Sequence, residues 1–290
     1  MINYPTKKLS DLLDTCDAGV WGKPAIKGKG LFILRSTNMS NDGKLDFSDV
    51  AERKVENDIK KIKLLDGDIL VEKSGGGPDQ PVGRVAYFIA PDNGVYTFAN
   101  FIQRLRAKSN LVNSRFLFYR LLFLHTIGFT KKLQSQTTGI RNLKLSLYLK
   151  TEIPLPPLQI QKQIVERLDK ITEAQKLNDD LIQKADELFQ SLLYKELNPA
   201  SKDWEMKKIK DVATVKNGGT PSTKNKKYWN GKILWLTPKE LSGFEDIEIS
   251  DTERKISDEG LKHSSATLLP AGTVLLTSRA PIGYLAIAGA

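Results

Sequence analysis

Short apolar runs punctuated by Gly, Pro, Asn and Asp dominate the first hundred residues, among them LFIL (31–34) and ILV (69–71). Runs of this length between turn residues predict short β-strands. A helical pattern follows at about 114–125, then a polar loop over 134–144 (QSQTTGIRNLK) and an extended segment ending in IPLPP (153–157). Several strands with scattered helices predict an α+β domain, not a regular βαβ array.

The pattern changes at Leu158. From there to about Leu197 there is no Gly or Pro, and good helix formers prevail. Pro156 and Pro157 precede the run, and Asn198-Pro199 ends it. A helix of roughly 40 residues is about 60 Å long. Ile164, Leu168, Ile171, Ile182, Ala185, Phe189 and Leu192 fall on one seam at heptad-like spacing, with Leu181 and Leu188 widening it. Gln175 and Asn178 interrupt the seam, as polar residues that fix register do. Such a rod needs a second helix, from later in a longer chain or from another subunit; the alternative is a long helix packed on its own domains.

The chain also repeats itself. YPTKKLSD (4–11) and WEMKKIKD (204–211) share an aromatic, Lys-Lys, a branched apolar residue and Asp. In the same order FILRSTNMS (32–40) matches ILWLTPKELS (233–242), and SDVAERKV (48–55) matches SDTERKI (250–256). LLDGDILVEKS (64–74) then matches LLPAGTVLLTSR (268–279), and VGRVA (82–86) matches IGYLA (282–286). Three segments follow: a first domain over 1–156, a spacer helix over 157–198, and a second copy over 204–290.

Composition narrows the partners. Lys and Arg number 44 against 34 Asp and Glu, a formal charge of +10. That surplus points toward a polyanion, because each neutralised phosphate releases condensed counterions. A single cysteine, Cys16, excludes an internal disulfide framework. The opening residues lack the apolar core of a signal peptide, and FLFYRLLFL (116–124) is too short to span a bilayer. These features predict a cytoplasmic protein.

GTPSTKNKKYWNGKILWLTPKEL (219–241) followed by LLPAGTVLLTSRAPIGYLAIA (268–288) resembles a target-recognition domain of type I restriction–modification specificity subunits. QTTGIRNLKLSLYLKTEIPLPPLQIQKQIVERLDKI (136–171) resembles that family's passage into its spacer helix. The resemblance covers nearly the whole chain. It implies a non-catalytic subunit whose two recognition domains each read one half of a split site in double-stranded DNA. It further implies antiparallel spacer helices, docked methyltransferase subunits and motor-nuclease subunits joining that complex. The second copy reaches only Ala290, the counterpart of Ala90, so truncation within the second domain is expected. The helix could then pair with a second copy in trans. The alternative is a truncated or silent cassette that only scaffolds or inhibits methyltransferase subunits.

Base edges are read by paired donors and acceptors, and phosphates by Lys, Arg and backbone N–H groups. Polar and basic residues in matching loops of the two copies are therefore the candidates. In the first copy they are Lys23, Lys27 and Lys29; Arg35, Ser36 and Asn38; Lys73, Ser74, Gln80 and Arg84; and Lys131, Gln134, Thr138 and Arg141. In the second they are Lys224, Lys226, Lys227 and Tyr228; Thr237 and Lys239; and Ser278, Arg279 and Tyr284.

Catalytic readings fit poorly. The only Pro-Pro follows Leu155, so an Asn/Asp-Pro-Pro-aromatic methyltransferase turn is missing. Glu72-Lys73 puts acid and lysine on opposite faces of a strand, unlike an acid-x-Lys nuclease triplet. Three consecutive glycines at 75–77 lack the Gly-Lys-Ser/Thr ending of a nucleotide loop. Two histidines and one cysteine cannot build a structural zinc site. No cofactor is expected.

Overall fold

The computed structural model describes residues 4–289 except 27, 57, 77–79, 138, 139, 200, 201 and 280. Its contacts divide the chain into two units, Met1–Gln190 and Ser191–Ala290.

Burial is continuous along the central strands of the first unit, because successive side chains point to opposite faces of a sheet and both faces are covered. A four-stranded sheet runs in the order Leu13–Ala18, Ile102–Ala107, Ile69–Glu72, Val85–Tyr87. Ile69, Val71, Val85 and Leu105 point into a larger core, with Leu9, Leu12, Leu117, Leu121, Tyr148 and Ile153. Leu70, Ala86 and Ile102 point the other way, into a core with Leu34, Met39, Phe88, Tyr96 and Phe98. The second core is closed by a sheet in the order Lys23–Pro24, Ala51–Lys54, Leu31–Leu34, Tyr96–Phe98.

The helix Ser114–Thr126 starts where the Asn113 side chain accepts a hydrogen bond from the Phe116 amide. It buries Phe116, Leu117, Phe118, Leu121 and Leu124. The segment expected as a polar loop at 134–144 is instead a hairpin of Gln134–Thr137 and Ile140–Leu143. Its second strand pairs with Ser74–Gly76 and buries Leu143. A long-range pairing partner and one buried apolar side chain make the difference. Thr6–Lys8 pairs with Glu152–Pro154 and ties the start of the chain to the segment that precedes the long helix.

The long helix spans Leu158–Leu197, the stretch free of Gly and Pro. The first unit includes it as far as Gln190, and its first turns pack into that unit's core. Gln161 is fully buried and accepts from the Asn113 amide, Val165 and Ile164 join the larger core, and Asp169 accepts from Arg115 and Tyr119. Ile164, expected on the pairing seam, packs partly against the domain core. Leu168 is half-buried, whereas Ile171, Gln175, Asn178, Ile182, Ala185, Phe189 and Leu192 are exposed. No helix among the described residues is long and apolar enough to cross a membrane.

The second unit repeats the register of the first. Val274↔Ile287, Leu275↔Ala286 and Leu276↔Leu285 pair antiparallel, as do their counterparts Ile69↔Tyr87, Leu70↔Ala86 and Val71↔Val85. In both copies a glycine in the left-handed region donates back across the turn. Gly83 (φ 101°) donates to the Glu72 carbonyl and Gly283 (φ 91°) to that of Thr277, each at 2.9 Å. An L side chain is strained at that φ, which is why both turns keep glycine.

Candidate nucleic-acid interface

The turn at 35–39 in the first unit is held from below by a buried ion pair. Arg84 donates to both Glu72 carboxylate oxygens at 2.9 Å, with side-chain exposures of 10% and 2%. The rest of its fork reaches the Met39 carbonyl at 2.5 Å and the Ser36 carbonyl at 3.0 Å. Asn38 is also buried: its amide donates to the Asp46 and Asp49 carbonyls, and its oxygen accepts from the Arg35 amide. Arg84 and Asn38 were expected at the DNA surface. In this geometry their donors are spent on the protein's own backbone, because a buried polar group must be satisfied internally. Arg35 donates to the Asp49 carboxylate and carbonyl at 2.8 Å, and Ser36 sits half-buried beside it.

The second unit builds the matching turn with other residues. Thr237 and Glu240 stand where Arg35 and Asn38 stand, and Glu240 accepts from the Thr237 amide and hydroxyl and from the Glu253 amide. Burial disfavours its charge, but these hydrogen bonds outweigh burial and hold the Glu240 carboxyl below its ordinary value. Lys239 is exposed on the same turn. The Glu72–Arg84 pair is replaced by Thr277 and Tyr284, joined by a hydrogen bond from the Tyr284 amide to the Thr277 hydroxyl.

The lysine-rich loops are anchored by residues outside the candidate set. Glu52 accepts from the amides of Gly28 and Gly30, and the Arg53 guanidinium lies 4.2 Å from the centre of the Trp21 ring. Arg254 lies 3.7 Å from Trp229 and 5.1 Å from Trp235, whose indole N–H groups donate to the carbonyls of Ser222 and Gly219 respectively. Cation–aromatic contacts of this kind contribute roughly 0.5–2 kcal/mol. The signal was in the sequence, since Glu-Arg-Lys recurs at 52–54 and 253–255. Outside these anchors Lys29, Lys224, Lys226 and Lys227 are exposed, while Lys23 pairs with Glu56. Tyr228 stacks on His263. Lys27 lies outside the described residues.

A third group converges through the hairpin. Ser74 donates to Asn142 at 2.7 Å, Arg141 pairs with Gly76, and Gln134 donates to the Val82 carbonyl. Lys131, Gln134, Ser135 and Arg141 line one shallow concavity. Ser74–Gly76 and Val82 thus meet Gln134 and residues 141–142, partners 52 to 68 residues apart in sequence, in one polar, basic surface. Lys73 reaches Gln103 at 3.5 Å, and Gln80 is exposed. In the second unit Ser278 and Arg279 are exposed and Tyr284 is 40% exposed. Thr138 lies outside the described residues.

Two similar units, each presenting basic and polar loops from a sheet scaffold, define a duplicated recognition module. The type I restriction modification DNA specificity domain matches residues 2–187 and 201–290, and the chain belongs to that family. Over 87 residues it is 58% identical to the type I restriction enzyme MjaIX specificity subunit of Methanocaldococcus jannaschii, covering 30% of this chain and 20% of that protein. Over 149 residues it is 30% identical to the EcoR124I/EcoR124II specificity subunit of Escherichia coli, covering 48% and 35%. The chain therefore spans only a fifth to about a third of these relatives. The HsdS subunit from Thermoanaerobacter tengcongensis shares the fold at a TM-score of 0.52 and 15% identity, over 99% of this chain and 72% of that one.

Proposed function

We propose that this chain is the sequence-reading subunit of a type I restriction–modification complex, working in the cytoplasm and carrying no catalytic residues of its own. Each unit reads one half of a bipartite double-stranded DNA site. One observation carries this reading: the two copies share strand register and turn hydrogen bonds but carry different side chains toward solvent, as at Thr37/Lys239, Lys73/Ser278 and Ser74/Arg279. One scaffold presenting two chemistries is what a two-part target requires.

The phosphate contacts fall to Lys29, Lys73, Lys131, Lys224, Lys226, Lys227, Lys239 and Arg279. Base edges fall to Ser36, Gln80, Arg141, Ser278 and Tyr284, with Arg84 and Asn38 as positioning residues. The exposed stretch of the long helix pairs with a second helix, from another specificity chain or a longer form of this one. Methyltransferase subunits dock on that pair and motor-nuclease subunits join them. The names of the relatives support this assembly.

The test is a DNA-binding titration of the chain with its methyltransferase subunits at several salt concentrations. The Lys224→Ala/Lys226→Ala/Lys227→Ala variant should weaken binding. If all three lysines contact phosphate, the slope of log K against log salt should flatten by roughly 2.7, about 0.9 for each contact. An unchanged slope and affinity would remove this loop from the interface, and no specific binding by the parent would favour the scaffold reading.

A further inference from the structure

Glu-Arg-Lys recurs at 52–54 and 253–255, at the same place in the repeat, and both units stack its arginine on tryptophan. In the first unit Arg53 lies on the strand Ala51–Lys54, between Lys23–Pro24 and Leu31–Leu34. Its guanidinium carbon stands 4.2 Å from the centre of the Trp21 ring. In the second unit Arg254 faces two indoles set 85° apart, Trp229 at 3.7 Å and Trp235 at 5.1 Å. Those indoles are themselves fixed, because their N–H groups donate to the loop carbonyls of Ser222 and Gly219.

Neither arginine spends its fork on the protein. Arg35, Arg84, Arg104, Arg106 and Arg115 each donate to a carboxylate. The guanidinium groups of Arg53 and Arg254 have no hydrogen-bond acceptor and no ion-pair partner among the described residues. Glu52, beside Arg53, accepts from the Gly28 and Gly30 amides. Glu240 feels the Arg254 charge, yet its carboxylate accepts from Thr237 and the Glu253 amide. An indole holds a guanidinium by its flat side and leaves the in-plane N–H donors at the edge unobstructed. Stacking and a bidentate phosphate bond are therefore compatible in one arginine, and not in a lysine. For packing alone an apolar side chain would cover the ring. The stack also restricts the side chain before a ligand arrives, which lowers the ordering cost of binding. The loops that carry these tryptophans also carry exposed Lys29 and exposed Lys224, Lys226 and Lys227.

We propose that Arg53 and Arg254 are matched backbone clamps, one in each unit, each held flat on tryptophan and donating its guanidinium edge to a DNA phosphate. The inference deepens the DNA reading above and rests on it. The role is a direct contact, distinct from anchoring the loop.

A random-sequence duplex is the probe, since a phosphate contact does not depend on base sequence. It is titrated at several salt concentrations with the chain and its methyltransferase subunits. Arg53→Gln and Arg254→Gln should each flatten the slope of log K against log salt by about 0.9, which is about fourfold weaker binding at roughly 0.2 M salt. Arg53→Lys and Arg254→Lys should keep the slope while losing affinity, because the charge stays and the fork goes. The decisive comparison repeats Arg254→Gln in the Lys224→Ala/Lys226→Ala/Lys227→Ala chain. A direct contact still removes about 0.9 from the slope there, whereas an arginine acting only through that loop has nothing left to position. A change that disappears in that background, or Gln variants that match a DNA-binding parent, would overturn this inference alone. A parent that binds no duplex would overturn the DNA reading along with it.

Discussion

Arg84→Ala separates a positioning role from a DNA contact. The substitution leaves Glu72, whose side chain is 2% exposed, without its cation, and strips donors from the carbonyls of Ser36 and Met39. Removing one partner of a buried ion pair costs about 3–5 kcal/mol, a large part of the stability of a typical domain. For a unit of this size each kcal/mol moves the midpoint by about 2–4 °C, so the first unit should melt roughly 6–20 °C lower. Glu72→Ala should do similar damage by stranding the guanidinium. Lysine at 84 should rescue only in part, since it keeps the charge but loses the planar fork. The double variant Glu72→Leu/Arg84→Met should recover at least half of the loss, because apolar replacement of a whole buried pair is often neutral or favourable. The two carbonyls left without donors prevent full recovery. Thr277 and Tyr284 in the second unit are a double replacement already present in the chain. Calorimetry of the four variants, with amide exchange at 36–39, measures these losses and the recovery. Arg84→Ala melting within about 1 °C of the parent while losing DNA affinity would refute the reasoning and return Arg84 to the interface.

Leu181 and Leu188 on the long helix are 65% and 60% exposed, so Leu181→Asp/Leu188→Asp should leave the melting of the first unit unchanged. Association through the helix, read by ultracentrifugation or by capture of the methyltransferase subunits, should fall at least tenfold. The Tyr148 hydroxyl is buried with no hydrogen-bond partner among the described residues, so Tyr148→Phe should be neutral or stabilising by up to about 1 kcal/mol in a denaturant titration. Burial also holds its phenol above the ordinary value of 10.0. Below that value both folded and unfolded chains keep the proton. Above it only the unfolded chain releases it, so stability should fall with rising pH, and Tyr148→Phe should remove that part of the fall.

Anchoring residues were harder to read than elements. Arg84 and Asn38 look like surface donors because polar residues in loops and turns usually are. Arg84 is buried where the distant turn at 35–39 meets its guanidinium, and Asn38, inside that turn, is buried under the carbonyls of Asp46 and Asp49. Arg53 and Arg254 were overlooked because their partners Trp21, Trp229 and Trp235 lie far from them in sequence. The hairpin at 134–143 was missed because its polar strands have little apolar alternation, and its pairing with Ser74–Gly76 is long-range.

By itself the sequence determined the duplication, the short strands, the α+β class and the long helix. Each of these depends on local periodicity, on turn residues, or on comparing the chain with itself. The tertiary structure decided which cations are exposed and which hold the protein together, and that Ile164 packs partly against a domain core. Burial and pairing are properties of distant segments meeting, and in a single chain no local pattern encodes which segments will meet.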